Sequence, residues 1–84
     1  MQFGVFDQND STGLPLGEQY ENRLRLTELY DRAGFHAYHL SEHHATPLNM
    51  SPSPSVFLAA VAQRTKRLRF GHLVYTLPLH HPLR

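Results

Sequence analysis

The sequence contains no cysteine and no tryptophan among its 84 residues. The absence of cysteine excludes a disulfide framework, a thiolate metal site and a cysteine nucleophile. No stretch approaches the roughly 18 apolar residues of a membrane span, and residues 1–10 lack the basic start and apolar run of a signal peptide. We therefore expect a cytoplasmic protein without a membrane partner.

Glycine is sparse, and its five scattered residues form neither a Walker loop nor a Gly-x-Gly-x-x-Gly turn. Both motifs use closely spaced glycines to bring backbone N–H groups onto a phosphate. No serine stands in a nucleophile elbow either. The sequence thus contains no recognisable phosphate cradle and no Ser-His-Asp nucleophile.

Charge is distributed unevenly, although the net charge is only +1. Residues 1–42 contain seven acids and three arginines, which gives −4, whereas residues 43–84 contain five basic residues and no acid, which gives +5. Four of these basic residues are Arg64, Lys66, Arg67 and Arg69. Such a cluster can bind an anion or a nucleic acid, but it also suits the C-terminal end of a helix dipole. We favour the interpretation that the cluster stabilises a helix end, and we expect no nucleic-acid partner.

Apolar segments and turn residues predict an alternation of strands and helices. Strands are predicted at residues 2–6, 35–40 and 68–75, and helices at residues 17–33 and 54–65. The strands begin about 33 residues apart, the length of one strand–helix unit, and such connections make the strands parallel. Eight units would need about 264 residues, the size of a (β/α)8 TIM barrel. We therefore expect an α/β fold in which residues 1–84 form about two and a half βα units, the N-terminal part of an incomplete barrel domain.

The two predicted helices differ in their apolar patterns. The first has a charged, solvated face, and its wide apolar face consists of Tyr20, Leu24, Leu26, Leu29, Tyr30 and Ala33. Gly34 fits the position just after that helix. The second helix begins with Ser53 as N-cap and Pro54 at its first position, and it is apolar on all sides over residues 56–62. A helix of this kind is buried on both sides, which predicts a subunit interface or contacts with further sequence.

Polar side chains cluster where each predicted strand ends. Asp7 follows the first strand, Glu42-His43-His44 follows the second, and Tyr75-Thr76 ends the third, with His80-His81 beyond it. The C-terminal strand ends of a parallel barrel form the face that carries the site. We therefore expect these groups to converge, with Asp7, Glu42 and His44 contacting the substrate or orienting a catalytic group.

The seven histidines allow two kinds of chemistry. The four at strand ends, with Glu42 or Asp7, are the ligand types that transition metals take. Their spacing matches no ligand motif, however, and adjacent histidines in an extended segment point apart. We expect no metal site. An imidazole titrates near neutrality and suits general acid or base catalysis, and His43 is the candidate for that role.

Several of these segments, in this order, resemble the bacterial luciferase-like monooxygenases. The matching segments are Phe3-Gly4-Val5-Phe6, Ala33-Gly34-Phe35, Ser41-Glu42-His43-His44, Arg67-Leu68-Arg69-Phe70-Gly71, Leu77-Pro78 and His81-Pro82-Leu83-Arg84. The most specific of them is Ser41–His44. The resemblance covers essentially the whole sequence and corresponds to the N-terminal third of these flavin-dependent (β/α)8-barrel enzymes.

The resemblance implies a flavin-dependent monooxygenase or oxidoreductase. In that family reduced FMN, usually supplied by a separate flavin reductase, reacts with O₂ and a small organic substrate is oxygenated. The residue that matches the family's catalytic histidine is His43, and Glu42 and His44 match the residues beside it. The family also dimerises largely through its second and third helices, which implies a homodimer formed through the helix at residues 54–65.

The resemblance also assigns the flavin contact to Leu73, Val74 and Tyr75 at the end of the third strand, where the family often has a non-proline cis peptide bond. Family members commonly have small residues there, so the bulky Leu73 and Val74 disfavour that bond. Luciferases carry an aromatic residue where this chain has Ala45. This difference favours a general oxidoreductase over a light-emitting enzyme.

Two alternatives remain open. A deazaflavin (F420)-dependent reductase or dehydrogenase of the same superfamily would share these motifs, although Glu-His-His favours FMN. A non-catalytic, truncated association module would use the apolar second helix as its interface. In every case we expect the 84 residues alone to be inactive, because most of a barrel is missing.

Overall fold

Three parallel strands and two helices form the structure, a computed structural model that describes residues 1–83. The elements are β1 (Gly4–Asp7), α1 (Leu16–Ala33), β2 (Ala37–Leu40), α2 (Pro54–Arg64), β3 (Arg69–His72) and a short 3₁₀ helix at Leu77–Leu79. The strands pair in the order β1-β2-β3, which confirms the predicted βα alternation. Within residues 1–83 no helix is long and apolar enough to cross a membrane.

The two faces of the sheet differ because alternate residues of a strand point to opposite sides. Tyr38 lies beside Val5 and Phe70 in the register, and this face packs against the helices. Phe6 and His39 are paired on the opposite face. Neither helix covers that face, and Phe6 is 54% exposed.

The core lies between the sheet and the helices. It consists of Leu24, Tyr38, Leu40, Phe57, Leu58, Val61 and Leu68. Burial of one such large apolar side chain contributes about 1.5–3 kcal/mol. α2 supplies three of these residues from one side, whereas Val56, Ala59 and Ala62 are exposed on the other. Within residues 1–83, α2 is therefore covered on one side, and the predicted cover of its other side by a second subunit or by further sequence stays a prediction.

α1 buries fewer apolar residues than its sequence predicts. Leu29 is 51% exposed, whereas the polar residues Gln19, Thr27 and Asp31 are buried. Gln19 Nε2 donates to Asn9 Oδ1 at 2.9 Å, and Thr27 Oγ1 donates to the Leu24 carbonyl at 2.7 Å. The predicted wide apolar face is wrong in this respect, because the helix packs against polar loops as well as against the core.

The C-terminal end of α1 shows why β2 begins at Ala37 and not at residue 35. Gly34 takes a left-handed conformation with φ of 86°, as predicted for the residue after a helix. Its N–H donates to the Asp31 carbonyl, and the Phe35 N–H donates to the Tyr30 carbonyl at 3.0 Å. Residues 34 and 35 thus complete the helix cap before the strand can start.

The C-terminal end of α2 accounts for part of the basic cluster. Arg64, in the last turn, lies 2.8 Å from Glu21 and 2.7 Å from Glu28, both on α1. These ion pairs join the two helices, whereas Lys66, Arg67 and Arg69 lie beyond the last turn of α2. At the other end of α2, Ser53 occupies the N-cap position before Pro54 as predicted, but its side chain makes no capping hydrogen bond.

Candidate active site

The segments that follow the three strands meet at one end of the sheet. The Ser41 N–H donates to the Asp7 carbonyl at 3.1 Å, and the Leu73 N–H donates to the Leu40 carbonyl at 3.0 Å. A cleft of about 510 Å³ opens there. Its lining consists of Phe6, residues 41–43 after β2 and residues 73–78 after β3. The structure therefore brings His43 and Glu42 together with Leu73, Val74 and Tyr75.

The chain leaves the sheet at His72, three residues earlier than the sequence predicts. A cis peptide bond joins Leu73 to Val74. The expectation that bulky side chains would disfavour this bond is therefore wrong. Leu73 is 47% exposed and Val74 is 62% exposed, so both present apolar surface to the cleft.

Glu42 is the most enclosed charged group of the site, with a side chain that is 1% exposed. Its carboxylate lies 2.7 Å from His44 Nε2 and 3.0 Å from His80 Nε2, and it accepts the Thr76 N–H at 3.1 Å. Burial opposes ionisation, but the hydrogen bonds from His44, Thr76 and His80 outweigh it and lower the pKa of Glu42 to about 2. Glu42 is therefore a fixed carboxylate at neutral pH.

His43 and His44 point to different surroundings, as expected for neighbours in an extended segment. His43 is half-buried and lines the cleft, and within residues 1–83 its ring makes no hydrogen bond. The His44 ring is bonded to Glu42 and lies outside the cleft lining. His43 is thus the imidazole that a molecule in the cleft could meet.

Asp7 lies outside the cleft lining. Its carboxylate accepts the Tyr38 hydroxyl and the Asn9 N–H, and it lies 3.4 Å from Arg23 of α1. Burial and the charge of Asp7 raise the pKa of Tyr38 far above its usual range. These contacts describe a carboxylate that ties β1 to β2 and α1, and the predicted contact of Asp7 with a substrate stays a prediction.

Tyr75 joins the cleft to α2. Its ring stacks on His72 with centroids 3.6 Å apart, and its hydroxyl lies 2.8 Å from Ser55 Oγ. Ser55 Oγ is also 3.1 Å from His72 Nε2. Burial lowers the pKa of His72, which favours a neutral ring in this stack.

A buried polar network holds the loops on either side of the site, and sequence reasoning missed it. The network consists of Asn9, Gln19, Ser41, Asn49 and Ser51, all buried. Asn9 Nδ2 donates to Ser51 Oγ at 3.2 Å, and the Ser51 N–H donates to Asn49 Oδ1 at 2.7 Å. The only sequence signal is the abundance of Asn, Ser and Pro in the loops, which does not reveal pairing across 42 positions.

Two further features of residues 1–83 bear on the choice of site. No group of three or more His, Cys, Asp or Glu side chains there is arranged to hold a metal ion. A second cavity of about 310 Å³ lies at the opposite end of the sheet, beside Phe3, His36 and Arg69. The cleft at the C-terminal strand ends is the better candidate, because sites of parallel barrels lie at that face.

Comparison with known proteins identifies relatives of the chain. The chain is 55% identical over its whole length to an uncharacterised protein of Sinorhizobium fredii, of which it covers 25%. It is 48% identical over 70% of its length to limonene 1,2-monooxygenase of Rhodococcus erythropolis, of which it covers 15%. It is 34% identical over 77% of its length to the oxygenase component of the flavin-dependent trigonelline monooxygenase of Acinetobacter baylyi, of which it covers 18%. The chain thus spans a quarter or less of these relatives.

The fold has a close counterpart among solved structures. The oxygenating constituent of 3,6-diketocamphane monooxygenase from Pseudomonas putida, solved in complex with FMN, superposes with a TM-score of 0.89 at 24% identity. The superposition covers 99% of this chain and 23% of that protein. The family profile described as luciferase-like monooxygenase matches residues 1–84. The chain therefore belongs to the luciferase-like monooxygenase family.

Proposed function

We propose that the full-length protein containing this chain is a flavin-dependent monooxygenase that uses reduced FMN and O₂ to oxygenate a small, largely apolar organic molecule. The observation that carries this proposal is the cleft at the C-terminal strand ends. It combines one accessible imidazole, His43, with the apolar residues after β3. Such a combination of an apolar wall and few polar groups is typical of cofactor and small-molecule sites.

The residues of the cleft fit a flavin ring. Phe6, Leu73, Val74 and Leu77 supply apolar surface, and the volume of about 510 Å³ has the size of a small-molecule site. Leu73, Val74 and Tyr75 would hold the ring. Reduced FMN, when bound, supplies the electrons with which O₂ is cleaved into one oxygen atom for the substrate and one for water.

In this proposal His43 moves the proton that the oxygenation requires. Its ring lines the cleft, and imidazole is a common group for proton transfer in enzymes. Either ring nitrogen can therefore accept or donate a proton to a molecule in the cleft. The carboxylate of Glu42 is held by hydrogen bonds to His44, Thr76 and His80. Glu42 therefore positions the strand end.

Two partners belong to this proposal. A relative named as the oxygenase component of a flavin-dependent monooxygenase supports a separate flavin reductase that delivers the reduced cofactor. A second copy of the chain is the other partner. Val56 is 71% exposed, and Ala59 and Ala62 on the same helix are exposed too, which leaves an apolar surface for a homodimer through the helix at residues 54–65. We place the protein in the cytoplasm.

The test is substrate-dependent turnover of the full-length protein with FMN, NADH and a flavin reductase. Apolar cyclic ketones and alkenes serve as probes, and products are identified by mass spectrometry with ¹⁸O₂. We expect one labelled oxygen atom per product molecule. Reduction of F420 in place of oxygenation would favour the F420-dependent alternative. Absence of both activities, with FMN not bound, would favour the association module.

A further inference from the structure

The carboxylate of Glu42 connects the end of β2 to the segment that follows β3. We call residues 73–80 the β3 loop. The Thr76 N–H donates to Glu42 Oε1 at 3.1 Å, and His80 Nε2 lies 3.0 Å from the same oxygen. The Glu42 side chain is 1% exposed, whereas that of His80 is 31% exposed. The carboxylate end of both bonds is therefore shielded from water, and hydrogen bonds to an ionised group in such surroundings are strong.

These two bonds bracket the distal half of the β3 loop. Leu77 and Pro78 line the cleft and stand between Thr76 and His80 in the sequence. The N–H groups of Leu79 and His80 bond locally, to the carbonyls of Thr76 and Leu77. Within residues 1–83, every hydrogen bond that ties the loop beyond Tyr75 to another element therefore ends on Glu42.

We propose that His80 is a positioning residue that holds the β3 loop, through Glu42, as the cleft wall beside His43. His80 itself is not among the residues that line the cleft, so it acts through the carboxylate and not on a bound molecule. Its ring packs edge-on against Tyr75, with centroids 5.1 Å apart. This contact aims the imidazole at Glu42.

The role assigned to His80 depends on an N–H donor at the position of Nε2. Leucine has a comparable volume but no donor. Glutamine places an amide nitrogen at a similar distance from the backbone and can donate to Glu42. A structural role in filling space would be preserved by H80L, whereas the positioning role is preserved by H80Q.

We call the hydrogen bonds from Thr76 and His80 to Glu42 the clasp. Amide hydrogen exchange of the full-length protein measures the clasp directly, without any cofactor. In H80L we expect the Thr76 N–H to exchange about tenfold faster or more, because a hydrogen bond to a charged group is lost. In H80Q we expect exchange close to that of the wild type. H36L is the matched control, since His36 lies at the opposite end of the sheet. Unchanged Thr76 exchange in H80L, or equal acceleration in H80L and H80Q, would overturn the proposal.

The effect of His80 on binding in the cleft rests on the proposed function. It is measured separately, as the affinity for FMN obtained from quenching of flavin fluorescence. We expect several-fold weaker binding in H80L and recovery in H80Q. Equal affinity in H80L and the wild type would overturn the link between the clasp and the cleft. A wild-type protein that binds no FMN would contradict the proposed function, while the exchange of Thr76 would still decide whether His80 holds the loop.

Discussion

Asp31 Oδ1 in the last turns of α1 accepts the backbone N–H of Leu68, at 2.8 Å, just before β3 begins. The same carboxylate accepts the N–H groups of Lys66 and Arg67 at 2.8 and 2.9 Å. These bonds, first of all that from Lys66, hold the pKa of Asp31 below its usual value. One side chain thus fixes the path by which the chain leaves α2 and enters the sheet.

Replacement of Asp31 by alanine is expected to destabilise the protein, since three N–H groups lose their acceptor. D31N keeps one carbonyl oxygen and should be intermediate. The measurement is the thermal unfolding midpoint of the full-length protein, with a fall of several degrees expected for D31A. D10N is the control, because the Asp10 side chain is exposed. A D31A midpoint equal to that of D10N would show that these bonds contribute nothing.

The lowered pKa of Glu42 predicts that the folded protein loses stability in acid. Its pKa is about 2 in the folded protein, against a usual value of 4.5. A lowered carboxyl pKa means that the ionised group stabilises the fold above pH 4.5 and that this contribution disappears as the pH falls towards 2. We expect the urea midpoint of the wild type to approach that of E42Q between pH 4.5 and 2. E18Q should differ little from the wild type throughout, and a constant gap between wild type and E42Q would contradict the assignment.

Much of the fold could be predicted from the sequence because its signals are local. The apolar runs locate the three strands, and Gly34 marks the end of α1 through a backbone conformation that glycine adopts easily. The exact strand lengths depend on contacts that are not local. β2 starts late because Phe35 bonds back to Tyr30. β3 ends at His72, and the Leu73 N–H still bonds to the Leu40 carbonyl.

The site could be predicted in part for the same reason. Parallel strands place their C-terminal ends together, which is why His43 and Leu73 share a cleft. The clasp between Glu42 and His80 spans 38 positions, and no local pattern indicates it. Asp7 shares the orientation of Val5 on β1, and its hydrogen bonds to Tyr38 and Asn9 depend on contacts that no local pattern indicates.

The exposed face of α2 predicts the effect of a charge on self-association. V56E places a carboxylate in the proposed dimer interface, where an unpaired charge costs several kcal/mol. The dimer dissociation constant should therefore rise about a hundredfold or more. Multi-angle light scattering after size exclusion detects the dissociation as a fall in the measured mass. L29E introduces the same charge on the exposed side of α1 and should leave the mass unchanged. An unaltered dimer in V56E would exclude this helix as the interface.

His43 carries the most direct prediction about the proposed reaction. Its ring is the cleft imidazole, and a positioned general acid or base accelerates a reaction by roughly 10²–10⁴-fold. H43A should therefore lower substrate oxygenation by a factor in that range. FMN affinity should change little, because the apolar wall formed by residues 73–78 remains.

H36A, at the far end of the sheet, serves as the control for loss of an imidazole. The measurement is single-turnover product formation together with flavin binding. Wild-type turnover in H43A would remove His43 from the reaction, and loss of flavin binding without a change in the chemical step would make it a binding residue.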